Sequence, residues 1–173
     1  MLQQLKAEGR IRAYGVSVFH ADEALKSIEV GEPDVIQLPY SLLNTAAEEV
    51  FAVAQREGVG IIAREPLASG FLSGKYSVDA KFGPGDFRAD LPRQYVQAMV
   101  SSAEAFRFLE AGGRRTLVQA AIRFALEQEA VSTVITGIKT AQQADEDFGA
   151  SEVLAFTPDE VHRLLQLMGR SVR

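Results

Sequence analysis

The segment at residues 61–76, IIAREPLASGFLSGKY, places hydroxyl and amine groups directly after an apolar run. Ser69, Ser73 and Lys75 offer hydrogen bonds and a positive charge to a bound group. Gly70 has no Cβ atom, so the backbone beside it can approach a ligand closely. Buried strands usually end in short turns, and a loop of this composition therefore indicates a binding site rather than a simple connection.

Cysteine and histidine contribute little to the chemistry of this chain. Cysteine is absent, which excludes disulfides, thiolate catalysis and cysteine-based metal sites. The two histidines, His20 and His162, lie far apart in the sequence, and neither stands beside another plausible metal ligand. We therefore expect no zinc site and assign both side chains to structural roles.

The 173-residue chain has the composition of an ordinary globular protein, with 47% hydrophobic and 24% charged residues. This length accommodates a sizeable core, so we treat residues 1–173 as a single domain. The net charge of −5 argues against a nucleic-acid or anionic-lipid partner. No apolar run approaches about 18 residues, and the start, MLQQLKAEGR, has no signal-peptide core, so we expect a cytoplasmic protein without a membrane segment.

Four apolar, β-branched runs must position the binding residues, and each run is followed by a turn and an amphipathic helix. The runs cover residues 11–16, 34–38, 59–63 and 131–136. They are nearly continuous rather than alternating, which is typical of parallel strands covered on both faces. The alternation of strands and helices predicts a parallel α/β fold, either an open sheet or a barrel. In both architectures, ligands bind at the carboxyl ends of the strands.

Helix starts are marked by Thr–Glu and Thr–Gln pairs with the spacing of a capping box. These pairs are Thr45–Glu48, Thr116–Gln119 and Thr140–Gln143. Pro158 stands at the first position of a last helix, predicted over residues 157–170. Residues 77–91 form a connection of more than the usual length, which predicts a lid or strap over a ligand.

Four segments, taken in order, resemble the successive motifs of the C-terminal half of the aldo-keto reductases. The segments are EGRIRAYGVSVFH, PDVIQLPYSLLN, GVGIIAREPLASGFLSGKY and VITGIKTAQQADED. The family consists of (β/α)8 barrels that reduce aldehydes and ketones with NADPH or, less often, NADH. The resemblance implies a partial, half TIM-type barrel, in which four parallel βα units correspond to strands five to eight and a C-terminal helix follows.

The resemblance implies that Ser17 and Gln37 hydrogen-bond the carboxamide of the nicotinamide ring. The residues themselves also allow a helix cap for Ser17 and a polar side chain bonded within the barrel for Gln37. Arg64 stands where the family commonly places an aromatic ring stacked on the nicotinamide, and a guanidinium plane can also stack. Its charge predicts tighter binding of NADPH than of cationic NADP⁺, whereas the alternative for Arg64 is a salt bridge to Glu65.

The resemblance also implies a set of phosphate contacts in the loop and in the strap that follows it. Small residues in the loop permit close approach of the backbone to the pyrophosphate. Without the resemblance, the basic residues of this set would be solvated surface charges. The implied contacts are Leu67, Ser69, Gly70, Ser73, Lys75 and Arg88.

The last βα unit is implied to hold the adenosine end of the cofactor. Lys139 and Thr140 stand at a helix start, where exposed amides and a lysine favour the adenosine 2′-phosphate, and hence NADP over NAD. Gln143, Glu146 and Asp147 match the adenosine contacts of the family. The alternative is the ordinary polar face of a helix.

The catalytic Asp, Tyr, Lys and His of the family belong to the first half of the barrel, so we assign no catalytic residue here. Four strands leave two edges and an inner face without partners. We therefore expect the NADP(H)-binding half of a carbonyl reductase, inactive alone and acting on an aldehyde or ketone once an N-terminal half completes it. The alternatives are a non-catalytic nucleotide-binding or regulatory module, or a homo-oligomeric half-barrel.

Overall fold

The computed structural model describes residues 1–169, which form seven α-helices and four β-strands. The strands are β1 (Gly15–Ser17), β2 (Val35–Pro39), β3 (Gly60–Arg64) and β4 (Val131–Ile135). The helices are α1 (Leu2–Ala7), α2 (Ala21–Gly31), α3 (Glu48–Arg56), α4 (Arg93–Glu104), α5 (Leu117–Leu126), α6 (Ala141–Phe148) and α7 (Pro158–Leu167). Short 3-10 turns occur at Phe71–Ser73, Phe87–Asp90, Arg107–Glu110 and Gly149–Ser151.

All four strands are parallel and form one sheet in the order β1-β2-β3-β4. This arrangement confirms the predicted α/β class with a helix after each strand. The chain divides into two compact units. The first unit, residues 1–66 and 124–137, contains the whole sheet, and the second consists of residues 67–123 and 138–169.

Within residues 1–169, the helices that contact β2 and β3 lie on one face of the sheet. Helix α2 packs on β2 and α3 packs on β3, and the side chains that share this face, Ile36, Leu38, Ile61 and Ala63, are at most 1% exposed. The alternate residues of both strands are partly exposed. Cover on both faces, expected from the apolar runs, is therefore wrong for the described chain, whereas the uncovered inner face expected of a half barrel is confirmed.

We call this uncovered side of the sheet the open face. Successive strand residues point to opposite sides, and paired residues in neighbouring strands share a side, so the register defines its members. Apart from Gly15 and Gly60, they are Ser17, Val35, Gln37, Pro39, Ile62, Arg64, Thr133 and Ile135.

The two outer strands of the sheet are exposed as well. All three residues of β1 are exposed, and Val16 retains 40% of its surface. At the other edge, Ile135 in β4 is 42% exposed. Within residues 1–169, neither strand has a partner on its outer side. The sheet thus presents two unpaired edges, as expected for half of a closed barrel.

The first strand begins later than predicted, at Gly15 rather than at residue 11. Tyr14, directly before it, donates its amide to the Asp34 carboxylate at 3.0 Å and its hydroxyl to the carbonyl of Gly31 at 2.8 Å. These bonds tie Tyr14 both to the end of α2 and to Asp34, the residue that precedes β2.

Helix α3 also begins later than predicted, because its N-cap is Ala47 and not Thr45. The Thr45 carbonyl accepts the Glu48 amide at 3.1 Å in the turn before the helix. The carboxylate of Glu48 accepts a hydrogen bond from the hydroxyl of the buried Tyr40 at 2.7 Å. This hydrogen bond ties the first residue of α3 to the residue that follows β2.

The other predicted caps are confirmed. Thr116 and Gln119 exchange reciprocal hydrogen bonds at 3.0 and 3.1 Å before α5. Thr157 caps α7 with Pro158 at the first helical position, and α7 ends at Leu167. The predicted end of this helix at residue 170 lies outside the described residues. No helix within residues 1–169 has the length and apolar character needed to cross a membrane.

Candidate functional site

The open face carries a polar pair where β1 and β2 lie side by side. Ser17 and Gln37 are register partners, and the Ser17 hydroxyl donates to Gln37 Oε1 at 3.0 Å. Ser17 is not a helix cap, because the N-cap of α2 is His20. The alternative of a helix cap for Ser17 is therefore wrong. The alternative of a bond within the sheet for Gln37 is present.

This hydrogen bond determines what the pair still offers to a ligand. Because Ser17 uses its proton on Gln37, its oxygen keeps free lone pairs as an acceptor. The Nε2 amide of Gln37 remains a donor without a partner among the described side chains. One acceptor beside one donor matches a carboxamide, which presents an N–H₂ group and a carbonyl on adjacent atoms. The donor set therefore fits the group that the resemblance assigns to it.

Arg64 ends β3 on the same face, and its side chain is held in place. The guanidinium lies 4.3 Å from the centre of the Phe19 ring and donates from Nη2 to the Val18 carbonyl at 3.3 Å. Nη1 forms an ion pair with Glu65, so the salt bridge weighed as an alternative is present. Nε is buried without a hydrogen-bond partner among the described residues. The side chain as a whole is only 14% exposed.

The loop after β3 has an unusual backbone. Glu65, Ala68 and Ser69 all have positive φ, at 57°, 47° and 58°, and Gly70 follows at 87°. Three non-glycine residues in the left-handed region within five positions are uncommon, and such strain is characteristic of ligand-binding loops. The residue types carry no signal of this conformation except at Gly70, so only the structure reveals it.

In the second unit, the loop is closed by its own hydrogen bonds. The amides of Gly70 and Leu72 both donate to the Leu67 carbonyl, at 2.9 and 3.1 Å. The exposed Ser69 lies at the outer side of this turn, and Leu67 is partly buried. The amide of Gly70 is thus already used, and the Ser69 hydroxyl is the group that this loop offers most freely to solvent.

Arg88 lies beside this loop and connects the strap to it. Its Nη1 donates to the Ser69 carbonyl at 3.0 Å, and Nη2 pairs with Asp86 at 2.6 Å. The guanidinium is also 4.8 Å from the Tyr76 ring and 4.6 Å from the Phe82 ring. These contacts hold the strap against the loop, a role that sequence reasoning missed. Its predicted contact with the cofactor phosphates stays a prediction.

The carboxylate of Asp86 is strongly acidic. Side-chain and backbone hydrogen bonds from Arg88 lower the pKa of Asp86 to about 2, and the charge of Lys139 adds a smaller effect.

Ser73 and Lys75 follow the loop in the second unit, and the Ser73 hydroxyl accepts the Lys75 amide at 3.4 Å. The Lys75 side chain is exposed, and its contact with a phosphate stays a prediction.

The start of α6 has the form expected of an anion site. The Thr140 hydroxyl accepts the Gln143 amide at 3.2 Å, and Gln143 Oε1 accepts the Lys139 amide at 2.8 Å. These bonds leave the first amides of the helix and the exposed Lys139 ammonium directed at solvent. A positive helix end with a lysine suits a phosphate.

Two of the predicted adenosine contacts, Glu146 and Asp147, lie near the end of α6. Asp147 is only 8% exposed, and its Oδ2 atom has no hydrogen-bond partner among the described residues. The backbone carbonyl of Glu146 accepts Gln119 Nε2 at 3.4 Å. A buried acceptor without a donor is costly, and the exocyclic amine of an adenine is a donor of the required kind.

The described residues contain no group of three histidine, cysteine or carboxylate side chains close enough to hold a metal ion. They do contain a cleft of about 840 Å³ in the first unit, at the carboxyl ends of the strands. Phe19, Pro39 and Glu65 are among the residues that line it. The partners of Arg64 thus border a space large enough for a small molecule.

Residues 1–168 match the Aldo/keto reductase family. The chain is 29% identical over 157 residues to the NADH-specific methylglyoxal reductase of Escherichia coli (strain K12), across 88% of this chain and 48% of that protein. It is 26% identical over 159 residues to the NADP(+) aldo-keto reductase yakc of Schizosaccharomyces pombe, across 88% of this chain and 47% of that protein. The chain therefore spans about half the length of the curated relatives that it matches.

Solved structures of related proteins also match this chain over about half of their own length. The glycerol dehydrogenase from Gluconobacter oxydans superimposes with a TM-score of 0.77 at 25% identity, covering 97% of this chain and 52% of that one. The holo form of an aldo-keto reductase from Bacillus halodurans superimposes with a TM-score of 0.72 at 26% identity, covering 95% of this chain and 53% of that one. Together with the four parallel strands, this coverage supports the predicted half barrel.

Proposed function

This chain belongs to the aldo/keto reductase family, and from that membership we propose that it is the NADP(H)-binding half of a carbonyl reductase. The Ser17–Gln37 pair is the observation that carries the proposal. It presents one acceptor and one donor side by side on an uncovered sheet face, at the carboxyl ends of parallel strands. Ligands of α/β folds bind at that end.

In the second unit, the start of α6 supports the same proposal for the other end of the cofactor. Lys139 and the free amides after Thr140 form a positive helix terminus, which favours a phosphate group. The unpaired oxygen of Asp147 lies toward the other end of this helix and provides an acceptor for an adenine amine. The Ser69 hydroxyl and the Lys75 ammonium are both exposed and are proposed to contact the pyrophosphate.

A reduced nicotinamide cofactor, when bound, supplies the hydride for carbonyl reduction. The contribution of this chain is binding and orientation. Ser17 and Gln37 fix the carboxamide and therefore decide which face of the ring is presented to the substrate. We propose that the proton for the carbonyl oxygen comes from the N-terminal half of the barrel, which would also complete the pocket for an aldehyde or ketone.

Replacing Gln37 with leucine tests the proposal directly. We expect NADPH to bind the purified chain at micromolar concentrations and to bind the Gln37→Leu variant about tenfold more weakly, because one hydrogen bond to the carboxamide is lost. The measurement is a calorimetric titration of both proteins. Thr133→Val is the matched control, since Thr133 is a polar residue of the same open face with no proposed cofactor contact.

Binding of NADPH that is equal in the wild type and the Gln37→Leu variant would contradict the assigned carboxamide contact. If the wild-type chain binds no NADPH at about 1 mM, the proposed function itself is wrong. Thermal unfolding gives an independent readout, because a ligand that binds only the folded state raises the melting temperature.

Lys139 provides a test of cofactor choice, on which the two curated relatives above differ by name. We expect Lys139→Met to weaken NADPH binding about tenfold and to leave NADH binding unchanged, because only NADPH carries the 2′-phosphate. Arg114→Met, which removes another exposed cation of the same unit outside the strap, is the control. An equal loss for NADPH and NADH would show that Lys139 does not recognise the 2′-phosphate.

A further inference from the structure

We propose that the positive charge of Arg64, partly neutralised by Glu65, makes the chain bind the reduced form of the nicotinamide more tightly than the oxidised form. Glu65 determines how large that difference is. The inference depends on the proposed cofactor site and adds the residues that set its preference between the two redox states.

Arg64 is placed where its charge acts on a ligand of the open face. It is the last residue of β3, and its register partner in β2 is Pro39, two positions after Gln37. Ile62 is the register partner of Gln37 and lies two positions before Arg64. The side chains of Gln37, Ile62 and Arg64 are therefore on one side of the sheet. A ring held at Gln37 by its carboxamide lies beside the end of β3.

The guanidinium is fixed rather than mobile. Phe19 covers it at 4.3 Å, and the Val18 carbonyl accepts one of its protons at 3.3 Å. With the side chain 14% exposed, the charge is largely removed from solvent, where it would be screened. A fixed and weakly screened positive charge affects a neighbouring ligand more strongly than a mobile surface arginine does.

The carboxylate of Glu65 neutralises the charge of Arg64 only in part. It forms an ion pair with Arg64, yet its side chain is 48% exposed, more than three times the exposed fraction of the arginine. Its φ of 57° lies in the left-handed region, directly after the last residue of the extended strand. Because water screens the carboxylate more than the guanidinium, the pair leaves a net positive potential at the end of β3.

The two cofactor forms differ in the charge of the ring. The oxidised nicotinamide carries a positive charge, whereas the reduced ring is neutral, and the phosphate and adenosine groups are identical. A positive potential at the ring therefore disfavours the oxidised form and leaves the reduced form almost unaffected. The ratio of the two dissociation constants isolates this effect from every other contact.

Titration of NADP⁺ and NADPH into the purified chain and its variants tests the inference. We expect the wild type to bind NADPH about fivefold more tightly than NADP⁺, with the ratio falling toward one in Arg64→Met and rising in Glu65→Gln. Arg64→Lys, which keeps the charge, should retain most of the preference. Arg56→Met is the matched control, because Arg56 and Glu57 form another ion pair between adjacent residues, at the end of α3.

The possible results separate this inference from the proposed function. Binding of both forms with a ratio that Arg64→Met leaves unchanged overturns the role of Arg64. A ratio that Glu65→Gln leaves unchanged overturns the balancing role of Glu65. Failure of the wild type to bind either form refutes the proposed cofactor site, and this inference with it.

Discussion

Replacing Arg115 with methionine is expected to lower the free energy of unfolding by about 3 kcal/mol. Arg115 precedes α5, and its side chain is 3% exposed. It forms an ion pair with Glu160 of α7 at 2.6 Å, and Nη1 donates to the Leu154 carbonyl at 2.9 Å. The Phe156 ring lies 4.6 Å away. Removing the arginine leaves a buried carboxylate without its cation and the Leu109 and Leu154 carbonyls without its donor groups.

The pKa of Glu160 gives this prediction a pH dependence. Burial by itself raises that pKa, but hydrogen bonds from the Thr157 amide and the Arg115 guanidinium outweigh burial, so the pKa lies below its usual value. A lowered pKa stabilises the folded state above the unfolded pKa of about 4.5, and this contribution is lost as the pH falls through the folded value. The effect of Arg115→Met should thus be largest at pH 7 and smaller near pH 4.

Urea unfolding of the wild type, Arg115→Met and Arg115→Met/Glu160→Gln measures these differences. The double variant should recover part of the loss, because a neutral amide costs less to bury unpaired than a carboxylate does. Arg93→Met is the control, since the ion pair of Arg93 with Asp79 has both side chains 76% exposed and contributes little. Equal losses for Arg115→Met and Arg93→Met would contradict the stabilising role of the buried arginine.

The second large effect is expected from Gly15→Ala, which should destabilise the first unit by about 2 kcal/mol. A Cβ atom on Gly15 would lie 2.1 Å from the Val35 backbone oxygen and 2.5 Å from Val35 Cγ1. Backbone atoms of a neighbouring strand cannot move aside without breaking the ladder. We therefore expect β1 to separate from β2, which also separates Ser17 from Gln37.

Gly137→Ala is the matched control for this substitution. Gly137 follows β4 in the same unit and has no positive φ, and a Cβ atom added to it would have no neighbouring atom within 4 Å. Its replacement should therefore change stability by less than about 0.5 kcal/mol. Chemical unfolding measures the stability of both variants, and NADPH titration measures the site. A Gly15→Ala variant as stable as wild type would show that β1 shifts without cost.

Local signals in the sequence predicted the structure well where a few neighbouring residues decide it. Thr116 and Thr140 cap helices as expected, because a hydroxyl and an amide three residues later form the bond by themselves. The four strands and their parallel order also followed from the repeated apolar runs and the intervening helices. At Thr45 the predicted helix start was two residues too early, since the N-cap of α3 is Ala47.

The candidate site, like the fold, could be predicted from the sequence only in part. The sequence by itself determined which side chains stand at the strand ends, because a strand followed by a turn and a helix is a local pattern. The prediction that Ser17, Gln37 and Arg64 share one region came from the resemblance to the family. Only the tertiary structure decided that helices cover one face of the sheet, that Ser17 donates to Gln37, and that Phe19 fixes Arg64. Those facts depend on register and packing between segments far apart in the chain, which no local pattern of residue types encodes.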